Sequence, residues 1–228
     1  MYKGEWKGKD IPEDNRTLIL GESHYGDENN TNEKIGSEAN YDTSDVLSYY
    51  LSNRTQGIYY EPWYRFYDSI AESFGYSHDQ AYAFYNQVWF GNYIPVLCEK
   101  KDKNIASDLM GDSNNRISYN NELFRFVNNN RINSIVCFSI DVYNHLPGRH
   151  KSDTENVINL GIIGSKRNLM RIYTYKEGEP HPSCDIILDH PLTVFAVRHP
   201  STAGGFRSEQ VYNELIKHQQ FHGICHKL

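Results

Sequence analysis

Short, largely apolar runs that end at glycine or at polar clusters mark the strands of this chain. The runs Arg16–Leu20, Ser134–Phe138 and Leu192–Val197 have the pattern of strands buried on both faces of a parallel sheet. Two further strands are predicted at Arg171–Tyr175 and Asp185–Leu188, joined by a turn that contains glycine and proline. The pattern therefore predicts a sheet whose centre is parallel and buried.

Between these strands, apolar residues recur every three or four positions, which predicts helices. Ser77 and Gln80 form a capping box, a hydroxyl and an amide three residues apart, that opens one of them. The predicted helices cover residues 44–51, 63–74, 77–89, 118–127 and 208–220, whereas residues 27–42 are predicted to form a surface loop and residues 149–168 to be polar and irregular. The alternation predicts one α/β domain over residues 1–228 with a largely parallel sheet.

The composition narrows the class of protein. The 228 residues include 23 Lys and Arg against 29 Asp and Glu, and the net charge of −6 excludes a broadly basic nucleic-acid coat but not a local basic patch. No run approaches the roughly 18 apolar residues of a spanning helix. The first residues hold no apolar signal-peptide stretch, so we expect a cytoplasmic protein. The four cysteines are far apart, and we expect reduced thiols, no metal and no other cofactor.

Unusual polar residues follow two of the predicted strands. Gly21–Gly26 reads Gly-Glu-Ser-His-Tyr-Gly, and His199–Phe206 reads His-Pro-Ser-Thr-Ala-Gly-Gly-Phe. A third segment, Trp89–Pro95, carries aromatic side chains and the amide of Asn92. Because ligands bind beyond the carboxyl ends of parallel strands, we expect the three segments to meet in one site.

This trio resembles the motifs of the uracil-DNA glycosylase superfamily in order and spacing. Gly21-Glu22-Ser23-His24-Tyr25 resembles the motif that holds the hydrolytic water, and His199-Pro200-Ser201 resembles the loop that stabilises the leaving base and grips the DNA. Asn92 with Pro95 is similar to the base-reading segment of the single-strand-selective branch. The motifs span residues 18–206, which is most of the chain.

The resemblance implies a DNA glycosylase, an enzyme that flips a nucleotide out of DNA and hydrolyses its N-glycosidic bond to leave an abasic site. It implies an α/β three-layer sandwich with a central, mainly parallel four-stranded sheet flanked by helices. The motifs hold no lysine nucleophile, so we expect a monofunctional enzyme that uses water. We expect a monomer that acts on single- or double-stranded DNA, either in base-excision repair or in defence against foreign DNA.

By resemblance, the candidate residues fall into three groups. Glu22, Ser23 and His199 are the catalytic candidates, and a neutral His199 would donate a hydrogen bond to the anionic leaving base. The amide of Asn92 would read the base, with Tyr25 and Phe90 lining the pocket. DNA contacts are expected from hydroxyls, basic side chains and backbone N–H groups in and around the first and third motifs, at His24, Arg198, Ser201, Thr202, Gly204, Gly205, Phe206 and Arg207.

The sequence departs from the family pattern in two motifs. Ser23 and His24 stand where many members have Asp or Asn followed by Pro, so either Glu22 or Ser23 would place the water. The usual apolar wedge after His-Pro-Ser is missing, and Phe206 or Arg207 is the candidate to fill the gap left by the extruded base. The substrate base therefore stays open among uracil, a damaged base and a hypermodified phage base.

Other functions are compatible with parts of the sequence. Glu22 and His24 resemble the Gly-Glu-x-x-His-Gly motif of erythromycin-esterase-like hydrolases, although the histidine stands one position early. Ser23 follows a strand as in the nucleophile elbow of serine hydrolases, but Tyr25 replaces the second glycine. A glycosylase fold that binds nucleic acid without catalysis is a third possibility.

Four residues near the end of the sequence have the types that bind zinc. His218, His222 and His226 are four residues apart, and Cys225 stands beside the last of them. On a helix this spacing would present the histidines on one face. Because Gly223 interrupts such a helix, we expect a solvated tail instead.

Overall fold

The computed structural model describes residues 5–26, 43–57, 61–99, 104–149, 156–163, 166–201 and 205–226. Its main sheet has seven strands in the order β1-β4-β2-β6-β9-β8-β7, and the short strands β3 and β5 pair separately. The strands are β1 Trp6–Lys7, β2 Thr17–Gly21, β3 His24–Gly26, β4 Trp89–Asn92, β5 Leu97–Glu99, β6 Ser134–Cys137, β7 Val157–Ile163, β8 Lys166–Tyr175 and β9 Leu192–Ala196.

The centre of the main sheet is parallel and its flanks are antiparallel. β2 pairs in parallel with β4 and β6, and β6 pairs in parallel with β9. β1 runs antiparallel to β4, β8 to β9, and β7 to β8. The α/β class is confirmed, but a four-stranded sheet is not, because the antiparallel strands extend the sheet to seven.

The side chains of the central strands alternate between the two faces of the sheet, and both faces are buried, which explains why these sequences are continuously apolar. Leu18 and Leu20 of β2 lie in one buried cluster, and Ile19 lies in a second. In β9, Val194 belongs to the first cluster and Phe195 to the second. Successive side chains of a strand point to opposite faces, so these strands bury both.

Helices cover both faces of the sheet. α4, α5 and α6 pack on the cluster that contains Leu18, and α1, α2, α3 and α7 pack on the cluster that contains Ile19. The helices are α1 Thr43–Gln56, α2 Tyr64–Glu72, α3 Ala81–Tyr85, α4 Asn104–Gly111, α5 Ser113–Asn130, α6 Ile140–His145 and α7 Ser208–Leu215, with 3₁₀ turns at His78–Gln80 and Gln219–Phe221.

Two helix starts follow from capping side chains. The Ser77 backbone N–H donates to Oε1 of Gln80 at 3.1 Å, which confirms the capping box at the turn that leads into α3. The helix predicted from residue 118 begins at Ser113 instead. The carboxylate of Asp112 accepts hydrogen bonds from the N–H groups of Asn114 and Asn115 at 3.0 and 2.9 Å, so it starts the helix earlier.

The helix predicted over residues 77–89 is wrong at its end. α3 stops at Tyr85, and Trp89–Asn92 form β4 between β1 and β2. Trp89 and Phe90 belong to opposite clusters, as neighbours in a strand do. Asn92 therefore ends a strand and does not follow a helix.

Two other predictions are also corrected. Asp185–Leu188 is not a strand, since its backbone bonds to α5 side chains: the Asp185 N–H donates to Asn121 Oδ1 at 2.7 Å. Residues 149–168, expected to be irregular, include β7 and the start of β8. The loop predicted over residues 27–42 lies outside the described residues.

The C-terminal segment is docked, so the expected solvated tail is wrong. α7 ends at Leu215, and Phe221 and Ile224 are fully buried. The hydroxyls of Tyr76 and Tyr212 each donate at 2.9 Å to backbone carbonyls of this segment, those of Ile224 and His226. Among the described residues, no three His, Cys, Asp or Glu side chains are grouped so that they could hold a metal ion.

A buried polar network fastens α1 to α2. The Tyr50 hydroxyl donates to Asp68 Oδ1 at 2.7 Å, and the Arg54 guanidinium forms an ion pair with the same carboxylate. Each partner satisfies the other, which a buried charge requires. None of the described helices is long and apolar enough to cross a membrane.

Candidate functional site

The carboxyl ends of the four parallel strands bring the predicted residues to one edge of the sheet. β4 ends at Asn92, and Glu22 directly follows β2. Ser139 follows β6, and His199 follows β9. Because β4, β2, β6 and β9 are neighbours in that order, these four residues arise side by side along the edge. Three of them were predicted from the motifs, whereas Ser139 was not.

Glu22 is held at this edge by its side chain and its backbone. Its Oε2 accepts a hydrogen bond from Ser139 Oγ at 2.8 Å, and its carbonyl oxygen accepts one from the N–H of Ile94 at 2.9 Å. Burial lowers the pKa of His199, and the negative charge of Glu22 offsets part of this shift. Glu22 and His199 follow β2 and β9, which flank β6, so both residues arise at the same end of the sheet.

The hydroxyl of Ser139 makes two hydrogen bonds. Besides donating to Glu22, its hydroxyl accepts from the N–H of Val142 at 3.2 Å and so caps α6. The cap has a sequence signal, a serine that follows a buried strand and precedes Asp141 in the first turn. The bond to Glu22 has none, because 117 residues separate the pair.

His199 is held in one tautomer by the loop that contains it. Its Nδ1 accepts a hydrogen bond from the backbone N–H of Ser201 at 3.2 Å and lies 2.7 Å from the Ser201 hydroxyl. A backbone N–H can only donate, so Nδ1 carries the lone pair and the neutral ring has its proton on Nε2. Burial lowers the pKa of His199 below its ordinary value, which favours this neutral form.

An aromatic ring of α2 supports the imidazole. Phe66 stacks on His199 with the ring centroids 4.8 Å apart and the planes 18° from parallel. Phe90 meets the Phe66 ring edge-on at 6.4 Å and is fully buried. The Phe66 ring therefore contacts both Phe90 and His199. Phe90 lies in the core and not on a surface open to a base. Phe66 falls in the helix predicted over residues 63–74, and its local sequence does not indicate the contact with His199.

Asn92 lies over Gly21 of the neighbouring strand. The two residues are paired in register, and a Cβ atom at position 21 would lie 2.3 Å from Asn92 Oδ1. A glycine is therefore needed at position 21 so that the amide can lie there. Asn92 Nδ2 donates to Thr43 Oγ1 at the start of α1, at 3.4 Å. The amide is 7% exposed and held between two elements.

Ser23 differs from Glu22 and Asn92 in the contacts of its side chain. Ser23 Oγ is buried and makes no hydrogen bond that meets ordinary geometry within the described part of the chain. It lies beside the Cys98 thiol, whose pKa is raised mainly by burial. His24 and Tyr25 lie in β3, where Tyr25 is paired in register with Cys98, and their side chains lie outside the described part of the structure.

The remaining loop residues are described only in part. Arg198 is half-buried and Ser201 is exposed, while Thr202 and Gly204 lie outside the described residues. Phe206 is half-buried against the core, with its ring 6.2 Å from that of Phe138. Gly205 is buried, and Arg207 is exposed just before α7.

No family model and no curated protein matches this chain. The resemblance to uracil-DNA glycosylases therefore depends on the three motifs alone, and the arrangement of their residues is the ground for a proposal about function.

Proposed function

We propose that this protein is a monofunctional DNA glycosylase, a divergent relative of the uracil-DNA glycosylase superfamily. The observation that carries the proposal is the pair formed by Glu22 and His199. A carboxylate held by Ser139 and a neutral imidazole whose Nε2 bears the proton follow β2 and β9, which flank β6, at the same end of the parallel sheet. Hydrolysis of an N-glycosidic bond needs these two groups, one for the sugar and water and one for the departing base.

His199 would stabilise the leaving base. When the bond from sugar to base breaks, the bonding electrons move onto the base, and a carbonyl oxygen of the base becomes anionic. A preorganised N–H donor aimed at that oxygen is worth several kcal/mol. Since Ser201 occupies Nδ1, the Nε2–H of His199 is the free donor of the neutral ring, and among the described residues it has no hydrogen-bond partner.

Glu22 and Ser23 would serve the sugar side of the reaction. The Glu22 carboxylate stabilises the positive charge that develops on the sugar and accepts a proton from the attacking water. Ser23 Oγ, buried and without a well-formed hydrogen bond in the described part, offers a second contact for that water. Asn92 would read the base, because its amide carries both a donor and an acceptor.

The fold agrees with this proposal. Four neighbouring strands, β4, β2, β6 and β9, run parallel, and helices pack on both of their faces. This parallel centre with helices on both faces supports the proposal, although β1, β8 and β7 extend the sheet to seven strands rather than the four that the resemblance implies.

The proposal is tested with a panel of DNA oligonucleotides that carry uracil, oxidised or alkylated bases, or modified cytosines. Incubation with the protein followed by alkali should cleave the strand at the abasic site formed from one of these bases. His199→Ala should slow base release about 10²- to 10³-fold, the usual effect of losing one such donor. His222→Ala, at an exposed histidine away from the sheet edge, is the matched control and should keep the full rate.

Two outcomes would contradict the proposal. A His199→Ala variant that keeps the full rate removes the role given to the imidazole. Cleavage of none of the substrates, with hydrolysis of p-nitrophenyl esters, points to an esterase. The geometry favours that alternative less, because the Ser23 hydroxyl donates to no carboxylate or imidazole in the described part of the chain.

A further inference from the structure

The helices α1 and α2 each contact one side chain of the candidate site. Thr43, the first residue of α1, is 4% exposed, and its Oγ1 accepts a hydrogen bond from Asn92 Nδ2 at 3.4 Å. On α2, the Phe66 ring stacks on the His199 imidazole with the centroids 4.8 Å apart. One helix therefore supports the amide that would read the base, and the other supports the imidazole that would donate to the departing base.

Asp68 of α2 joins the two helices through both oxygens of its carboxylate. Its Oδ1 accepts hydrogen bonds from the Tyr50 hydroxyl at 2.7 Å and from Arg54 Nε at 3.1 Å, and its Oδ2 is paired with Arg54 Nη2. Asp68 is 8% exposed and Tyr50 is fully buried. Burial raises the pKa of Tyr50, so its hydroxyl keeps the proton that it donates. Because each of these bonds is directional, they fix the position of α1 against α2 more narrowly than apolar packing does.

The contact with Asn92 and the contacts with Asp68 lie on one face of α1. The positions that share this face are spaced four, three and four residues apart, at Thr43, Leu47, Tyr50 and Arg54. They cover about 17 Å of helix at 1.5 Å per residue. A helix is stiff over this length, so a shift of α1 at its Arg54 end also moves Thr43 and the amide bonded to it.

On α2, the network and the support of His199 are two residues apart. Side chains at this separation point to roughly opposite sides of a helix, so Asp68 faces α1 while Phe66 faces the imidazole. The buried Tyr67 ring contacts both groups, since its centroid lies 5.0 Å from that of Tyr50 and 5.2 Å from that of Phe66. The network is therefore connected to the imidazole by packed rings as well as by the helix.

We infer that Asp68 is a positioning residue, which holds α1 and α2 as one unit and thereby fixes the Asn92 amide and the His199 imidazole relative to each other. The inference rests on the proposed glycosylase function and links the recognition of a base to its release. The same base must meet the amide at its edge and the Nε2–H at the oxygen that becomes anionic. A displacement of about 1 Å between two such groups can cost about 10²-fold in rate.

Steady-state kinetics of Asp68→Asn and Tyr50→Phe test the effect on the reaction. Asp68→Asn removes the charge at nearly constant size, whereas Tyr50→Phe removes one hydroxyl and is the variant to use if Asp68→Asn does not fold. On the base that the protein releases from the panel, kcat should fall about 10- to 100-fold in Asp68→Asn and about three- to tenfold in Tyr50→Phe. KM should change by less than about threefold. The preference for that base over the next best should fall at least about threefold in Asp68→Asn, because the amide is displaced together with the imidazole.

Nuclear magnetic resonance follows the two side chains directly and does not require that any base be released. In ¹⁵N-labelled protein, the side-chain amide signals of Asn92 and the ring nitrogen signals of His199 should both shift or broaden in Asp68→Asn and in Tyr50→Phe. The spectra are recorded at a temperature at which circular dichroism shows each variant to be fully folded. A loss of stability alone then leaves these signals where they are in wild type.

Two control variants lose buried polar contacts elsewhere. Tyr76→Phe is matched to Tyr50→Phe, because the Tyr76 hydroxyl is also buried and donates to the carbonyl of Ile224 at 2.9 Å. Asn121→Ala is the control for Asp68→Asn, since Asn121 is 8% exposed and its Nδ2 donates to Asp185 Oδ2 at 2.9 Å on the face of the sheet opposite α1 and α2. Both controls should unfold at lower urea concentration and leave kcat, base preference and the two sets of signals unchanged.

Several results would overturn the inference. Signals that stay unchanged in Asp68→Asn, or that change for only one of Asn92 and His199, show that the helices do not act as one unit. Equal changes in the control variants show a general loss of structure instead. If a base is released and kcat of Asp68→Asn equals that of wild type, only the positioning role fails. If both sets of signals respond and no base is ever released, the proposed glycosylase function fails, and the positioning of the two side chains by Asp68 stands.

Discussion

Replacing Ser139 by alanine removes one buried hydroxyl that makes two hydrogen bonds. The hydroxyl donates to Glu22 Oε2 at 2.8 Å and accepts from the Val142 N–H at 3.2 Å as the N-cap of α6. Ser139 is 2% exposed, so water cannot readily replace either bond. The variant should therefore lose stability and, if Glu22 acts as proposed, catalytic rate as well.

The two losses have different expected sizes. Losing an N-cap costs about 1 kcal/mol. Losing a hydrogen bond to a charged group costs about 1.5–3 kcal/mol. Ser139→Ala should therefore lower the free energy of unfolding by about 2.5–4 kcal/mol, whereas Ser139→Thr, which keeps the hydroxyl, should lower it by much less.

A double-mutant cycle separates the two bonds. The free energy of unfolding in urea is measured for wild type, Ser139→Ala, Glu22→Ala and the double variant. The cap is lost equally in both backgrounds, so the coupling energy reports the bond between Ser139 and Glu22 and should be about 1.5–3 kcal/mol. Base release by Ser139→Ala should show kcat reduced about 10- to 100-fold with little change in KM, because a displaced carboxylate acts in the transition state.

The reasoning is refuted by a coupling energy below about 0.5 kcal/mol, since the bond between Ser139 and Glu22 would then contribute nothing. Ser139 would equally lose its positioning role if kcat were unchanged in Ser139→Ala. Recovery of kcat in Ser139→Thr is required, because a purely steric effect of the substitution would not be rescued by a larger side chain.

Three further predictions concern neighbouring residues. Gly21→Ala should displace the Asn92 amide, because the new Cβ would clash with Asn92 Oδ1. The free energy of unfolding, measured in urea, should fall by about 1–3 kcal/mol. The enzyme should also discriminate less between the bases of the panel. Phe66→Leu should loosen His199, because it removes the ring whose centroid lies 4.8 Å from that of the imidazole. Steady-state kinetics should show a larger change in kcat, which falls, than in KM. Because burial lowers the pKa of His199, the unfolded chain takes up the proton first as pH falls, and stability is lost from about pH 6.5 downward. Below about pH 6.5 the free energy of unfolding of wild type, measured by urea titration relative to His199→Gln, should fall by at most about 1.4 kcal/mol per pH unit. The rate of base release by wild type should stay constant as the pH is lowered to about 6.5.

Each of these predictions has a result that contradicts it. Unchanged base discrimination in Gly21→Ala means that the amide of Asn92 does not read the base. A full rate in Phe66→Leu means that stacking does not hold the imidazole. An identical pH dependence of stability in wild type and His199→Gln means that the imidazole titrates alike in the folded and unfolded states.

The central strands were predictable because local sequence and tertiary role agree. β2, β6 and β9 occur where continuous apolar runs predicted buried strands, and both faces of each are covered. The capping box at Ser77 was also predictable, since its two partners are three residues apart. Signals of this kind depend only on residues close in the chain.

β4 was missed because its partners are distant in sequence. Tyr82, Tyr85 and Trp89 have helical spacing, yet Trp89–Asn92 pairs with β1 on one side and β2 on the other. Strand pairing outweighs local spacing when both neighbours are already in place. Asp185–Leu188 is the converse, a strand-like run without a strand partner whose backbone binds α5 side chains.

The sequence predicts the types and order of the candidate site residues, because Glu22, Asn92 and His199 each lie beside a recognisable strand end or turn. The sequence does not predict how these residues are arranged in space. Ser139 reaches Glu22 across 117 residues, and Phe66 of α2 stacks on His199. Local patterning specifies which elements form and which side chains they present, whereas contacts between distant residues arise only when the sheet assembles and sets its strand order.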